Sequence, residues 1–104
     1  MKTQESINPQ YDLVVLEKSL ILFFRPSFLH ITSPDMDNDI QILISTRHFN
    51  NKTVQERMIM VYNLIKKDCP AVLNDRLVVV QAYTPLEMDE VLEYVFNDEQ
   101  HEGD

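Results

Sequence analysis

The stretch Thr84-Pro85-Leu86-Glu87 constrains the fold more than any other part of the chain, because it joins a strand to a helix with no loop between them. Before it stands Leu77-Val78-Val79-Val80-Gln81-Ala82-Tyr83, the composition of a buried strand. A threonine followed three residues later by a glutamate is a capping box. The Thr84 hydroxyl accepts from the Glu87 N–H, and the Glu87 carboxylate accepts from the Thr84 N–H. Pro85 takes the first helical position, where its fixed φ suits the helix and its missing N–H costs nothing. Met88, Val91, Leu92 and Val95 then recur at i, i+3, i+4 and i+7, which predicts an amphipathic helix directly after the strand.

The same signals divide the rest of the chain. A polar arm over 1–10 precedes a domain over 11–96, and an acidic, flexible tail is expected over 97–104. From Pro9 or Tyr11 to Phe24 a helical pattern runs through Leu13, Leu16, Leu20, Phe23 and Phe24 and ends before Arg25-Pro26. Val14, Val15, Ile21 and Leu22 widen its stripe, so this helix is expected to pack on more than one side, the alternative being a docking surface. Ser27–Thr32 reads as a strand, and Ser33–Asp39 as a turn. Ile40, Ile42 and Ile44 alternate with Gln41, Leu43 and Ser45, a half-buried strand. A polar connection from Thr46 to Lys52 leads to a second capping box, Thr53 with Glu56. The helix it opens carries Val54, Met58, Val61 and Ile65 on one side and stops at Pro70. The order is α-β-β-α-β-α. Two strands joined by a short turn pair antiparallel, and the third, after a crossover helix, lies parallel to the second. An α+β domain is predicted: a three-stranded mixed sheet with helices on one face.

Composition excludes several function classes. With 104 residues and 44% apolar content, the chain buries a core without metals or disulfides. The net charge of −8 argues against a general phosphate-backbone binder. Its one glycine, Gly103, leaves no glycine-rich phosphate loop, dinucleotide fingerprint or GXXG clamp. The lone Cys69 forms no internal disulfide and suits a reducing compartment. Residues 1–6 lack the order of a secretory signal, the first arginine (Arg25) comes too late for a mitochondrial leader, and no apolar run spans a bilayer. A cytoplasmic protein without membrane contact is expected.

Residue by residue the chain resembles the BolA family. Leu16-Glu17-Lys18-Ser19-Leu20 and Phe24-Arg25-Pro26-Ser27-Phe28-Leu29 are similar to the family's first helix and strand. Ile42-Leu43-Ile44-Ser45-Thr46-Arg47-His48-Phe49 resembles its strand and S-x-x-F turn. Arg57-Met58-Ile59-Met60-Val61-Tyr62 lines up with the segment written R-H-R-x-V-Y, and Thr84-Pro85-Leu86-Glu87 with T-P-x-E. The resemblance covers about residues 11–96. It implies a fold similar to class II KH domains, and partnership with monothiol glutaredoxins in handling [2Fe–2S] clusters. In bacteria it also implies a transcriptional role. The family's R-H-R keeps only Arg57. The histidine that opens the third strand falls on Arg76, or on Asn74 in the alternative alignment. Neither ligates iron, since a guanidinium is always protonated and offers no lone pair.

Other candidate chemistry is sparse. Cys69 sits at a helix C-terminus, where the dipole raises a thiol pKa. His30 is expected on the uncovered sheet face, His48 in a solvated connection, and His101 in the tail. Asp35, Asp37 and Asp39 alternate, but an EF-hand loop needs glycine and glutamate where Ile40 and Thr46 stand. No catalytic and no metal-binding residue is assigned, and the chain is read as a non-enzyme. Arg57 and Arg76 are the candidate partner-binding residues, either as ordinary surface cations or as a patch meeting glutaredoxin and glutathione carboxylates. The leading expectation is a non-enzymatic adaptor that binds a monothiol glutaredoxin in iron–sulfur trafficking or iron and redox signalling. It binds no cofactor alone, shares at most a [2Fe–2S] cluster with the partner and glutathione, and is a monomer or weak homodimer. Two alternatives are a KH-like nucleic-acid-associated regulator and a divergent interaction module without cluster work.

Overall fold

The computed structural model describes residues 9–33, 39–74 and 76–102, with side chains over 12–33, 39–74 and 76–94. Helix α1 is Pro9–Phe24, strand β1 Phe28–Thr32, strand β2 Asp39–Ser45, helix α2 Val54–Asp68, strand β3 Leu77–Tyr83 and helix α3 Pro85–Glu102. Single 3-10 turns at Arg47–Phe49 and Pro70–Leu73 punctuate the connections around α2. β1 pairs antiparallel with β2, Phe28 opposite Ser45 and Thr32 opposite Gln41. β3 lies parallel to β2 in the order β1-β2-β3, as the short turn and the crossover helix require. The α+β class and its element order are those read from the sequence.

One sheet face holds the core. Ile40, Ile42 and Ile44 of β2 and Val78, Val80 and Ala82 of β3 are buried against Leu16, Leu20 and Phe24 of α1 and Val61, Leu64 and Ile65 of α2. Each of the three isoleucines contributes about 1.5–3 kcal/mol by leaving water. On the other face His30, Gln41, Val79 and Gln81 are exposed, so the helices cover one side only.

The first helix departs from expectation. It packs on one side, along Leu16, Leu20 and Phe24 at four-residue spacing. Leu22 and Phe23 are 71% and 53% exposed, and Val14 and Ile21 are also open to solvent. In a two-layer domain an outer helix has only one layer to meet, and a broad apolar stripe does not create a second. Phe23 instead lies edge-on to Phe24 and stacks on His48, with ring centroids 4.9 Å and 6.3 Å apart.

The polar connection after β2 is a capped turn. The Thr46 hydroxyl donates to the Phe24 carbonyl (2.7 Å) and accepts from the His48 N–H (3.2 Å). It thereby ties the end of α1 to the end of β2, and it seats Phe49, which is fully buried. Without glycines at hand, the chain turns at Arg25 (φ 47°) and Asn51 (φ 64°). Arg25 ends α1 with its N–H on the Ile21 carbonyl, 3.0 Å away. Helix α3 runs to Glu102 and so takes in most of the segment the sequence sets apart as a tail. The centre of the expected turn, 34–38, lies outside the described residues.

Candidate functional site

Both capping boxes form. Thr53 Oγ1 accepts from the Glu56 N–H (3.1 Å) and Glu56 Oε1 from the Thr53 N–H (2.8 Å). Thr84 Oγ1 accepts from the Glu87 N–H (3.2 Å) and Glu87 Oε1 from the Thr84 N–H (3.0 Å). Arg57 couples the second box to the first turn of α2. Its Nη1 and Nη2 donate to Glu87 Oε1 (2.7 Å) and Oε2 (3.2 Å), a bidentate pair. Nη1 also donates to the Ala82 carbonyl and Nε to the Lys52 carbonyl, both at 3.0 Å. Four of the five guanidinium N–H groups are thus directed into the protein. The Glu87 carboxyl is held below the ordinary carboxylate range, first by the Arg57 hydrogen bond and then by the Thr84 N–H.

Arg57 is therefore no surface cation. It is buried, and it binds the N-terminus of α2 to the β3–α3 joint. Its position was legible, since 57, 61, 64 and 65 share one helical face, but arginine at a helix N-terminus reads as solvated. Arg76 is not a free surface cation either. Its Nη2 lies 3.8 Å from Asp12 Oδ2, with both side chains largely buried, so the head of β3 is tied to α1. Arg57 reaches β3 at Ala82 while Arg76 precedes the strand, about 20 Å apart at the usual rise per residue. The structure does not bring the two arginines into one patch.

The remaining candidates are scattered. Cys69 is buried; burial raises its thiol pKa most, with Asp68 and Asp12 adding to that and a hydrogen bond with Ser19 opposing it. Asn74 is exposed and closes the 3-10 turn after α2, its N–H on the Ala71 carbonyl at 3.1 Å. His30 stands exposed on the open sheet face, opposite Leu43. His48 is exposed beside Phe23 and Phe24. The side chains of Asp35, Asp37 and His101 lie outside the described residues. Among the described residues no three His, Cys, Asp or Glu side chains converge on a metal position, and no helix is long and apolar enough to cross a membrane.

No protein-family model matches the sequence, and no curated protein matches it. Solved structures do. A Bol-like protein from Babesia bovis is similar over 74% of this chain and 88% of its own, at 20% identity and a TM-score of 0.62. BolA1 from Arabidopsis thaliana is similar over 73% and 94%, at 17% identity and a TM-score of 0.61. BolA1 from Mus musculus is similar over 76% and 69%, at 12% identity and a TM-score of 0.62. The chain has the BolA-like fold. At such identities the likeness carries backbone architecture and assigns no residue a role. Of the two positions where the resemblance seats a histidine, Arg76 at the head of β3 is already paired with Asp12, and Asn74 is an exposed amide. The donors there do not fit iron, which takes thiolate or imidazole.

Proposed function

We propose that this chain is a non-enzymatic BolA-family adaptor that binds a monothiol glutaredoxin, with the partner and glutathione supplying the iron ligands of any shared [2Fe–2S] cluster. The BolA-like fold supports the family, as does the ordered run of matching residues from Leu16 to Glu87. The observation that carries the division of labour is Arg76, a permanent cation packed against Asp12 where a ligand histidine is expected. The buried Cys69, its thiol held protonated by its surroundings, offers no replacement.

Titration of the protein into a [2Fe–2S]-loaded monothiol glutaredoxin, followed by visible circular dichroism and size-exclusion chromatography, tests this. The expected result is a heterocomplex whose cluster spectrum matches that of the glutaredoxin alone. An altered spectrum would mean that this chain contributes a ligand. Absence of a complex at micromolar concentrations would remove the glutaredoxin partnership.

A further inference from the structure

The charge of this chain is unevenly placed. Residues 1–76 hold nine basic and nine acidic side chains, whereas residues 77–104 hold eight acidic and no basic ones. The net charge of −8 therefore resides entirely in β3, α3 and the last two residues of the chain. Along α3, Glu87, Asp89, Glu90 and Glu93 stand within two turns. Of these, Glu87 and Glu90 border an apolar groove of about 690 Å³ between the start of α2, the C-terminal half of β3, and α3. Val54, Val80, Val91 and Tyr94 line it, with Arg57, Glu87 and Glu90 as its charged members. Arg57 already neutralises Glu87, while Glu90 is exposed and has no ion-pair partner among the described residues.

The edge of β3 adds a directional feature. The Tyr83 carbonyl faces β2, accepting from the Thr46 N–H at 3.2 Å, so the alternate residues Val78, Val80 and Ala82 turn their main-chain groups outward. The Tyr62 hydroxyl takes the Val78 carbonyl, and Arg57 takes that of Ala82. Val80 lies between them, its outward N–H and carbonyl without a partner among the described residues. Two capped carbonyls bar a continuous added strand, which needs every outward group in turn. They leave room for one main-chain contact.

We propose that this groove docks a short basic segment of a protein partner. An apolar side chain seats among Val54, Val80, Val91 and Tyr94, a flanking lysine or arginine pairs with Glu90, and one main-chain group meets Val80. Charge complementarity selects the occupant, because an acidic rim around an apolar floor attracts cations and repels acidic segments and nucleic acid. The groove does not include Arg76, which stands at the opposite end of β3.

The test uses the isotopically labelled full chain and two blocked pentapeptides, Lys-Leu-Lys-Leu-Lys and Glu-Leu-Glu-Leu-Glu. The basic peptide is expected to shift the amide resonances of Val80, Glu90, Val91 and Tyr94 in a saturable way that weakens with added salt, and the acidic peptide to leave them in place. Glu90→Lys and Tyr94→Ala, both at exposed positions that leave the fold intact, should each weaken binding about fivefold or more. Glu93→Lys, on the same helix but outside the groove, should weaken it less than twofold on that scale. Equal losses from Glu90→Lys and Glu93→Lys would show a diffuse attraction to α3 and overturn the proposal. Equal shifts with both peptides, or none at millimolar peptide, would do the same. Groove resonances that move with protein concentration alone would assign the groove to a second copy of this chain, which also overturns it.

Discussion

Replacing Arg57 with methionine removes the guanidinium while keeping much of the stem that fills the space beneath it. Three losses result, of unequal size. The Lys52 carbonyl sits beside an exposed residue, so water replaces the lost donor at little cost. The Ala82 carbonyl belongs to a buried residue of the outer strand, and an unsatisfied buried acceptor costs about 1–3 kcal/mol. The ion pair involves a Glu87 side chain that is 44% exposed, so solvent screening limits its worth to about 1 kcal/mol or less. The total is about 1–4 kcal/mol, a large part of the stability of a domain this size. Since the chain has no tryptophan, urea unfolding followed by far-ultraviolet circular dichroism is the suitable assay. Glu87→Gln, which keeps an acceptor for the Thr84 N–H, should cost no more than about 1 kcal/mol. A loss under about 0.5 kcal/mol for Arg57→Met, or a larger loss for Glu87→Gln than for Arg57→Met, would refute the assignment of Arg57 as the tie between α2 and the β3–α3 joint.

Acid should weaken the same joint. The folded-state pKa of Glu87 is lowered, so its contribution is fully present above the ordinary carboxylate range and is lost as pH falls through the depressed value; Glu87→Gln should flatten that part of a stability–pH profile. The buried Cys69 thiol, its pKa raised, should resist alkylation by iodoacetamide at mildly alkaline pH in the folded protein and react readily in urea; equal rates in both would show that the site is open. Arg25 occupies the left-handed region at the end of α1, and Arg25→Gly should raise stability by about 0.5–1 kcal/mol, after setting relief of strain against the greater unfolded-state freedom of glycine. Arg76→His places an imidazole at the head of β3 and should alter the visible circular dichroism of a glutaredoxin-bound cluster. An unchanged spectrum with unchanged affinity would mean that this strand end is not the ligand position.

The local grammar of this protein is written in short range. Thr53 with Glu56 and Thr84 with Glu87 announce two helix starts because each box satisfies its own orphan donors with atoms three residues apart. The alternating isoleucines at 40, 42 and 44 place a strand with one core face, and the lengths of the two connections set one strand pair antiparallel and the other parallel. The departures come where a side chain's fate depends on residues far along the chain. Leu22 and Phe23 look like core in a periodic helix, yet no second layer exists to bury them. Phe49 looks like part of a polar connection until Thr46 anchors that turn to the end of α1.

The candidate site was less legible for the same reason. Sequence alone determined that Arg57 stands where the resemblance puts a functional arginine, that the family histidine falls on Arg76 or Asn74, and that neither holds iron. Only the tertiary structure decided what each does. Arg57 finds Glu87 thirty residues away and the Ala82 carbonyl between them, and Arg76 finds Asp12 across the core. Propensity and capping act within a few residues and are carried by the local sequence, whereas burial and charge pairing exist only once separate elements are packed together.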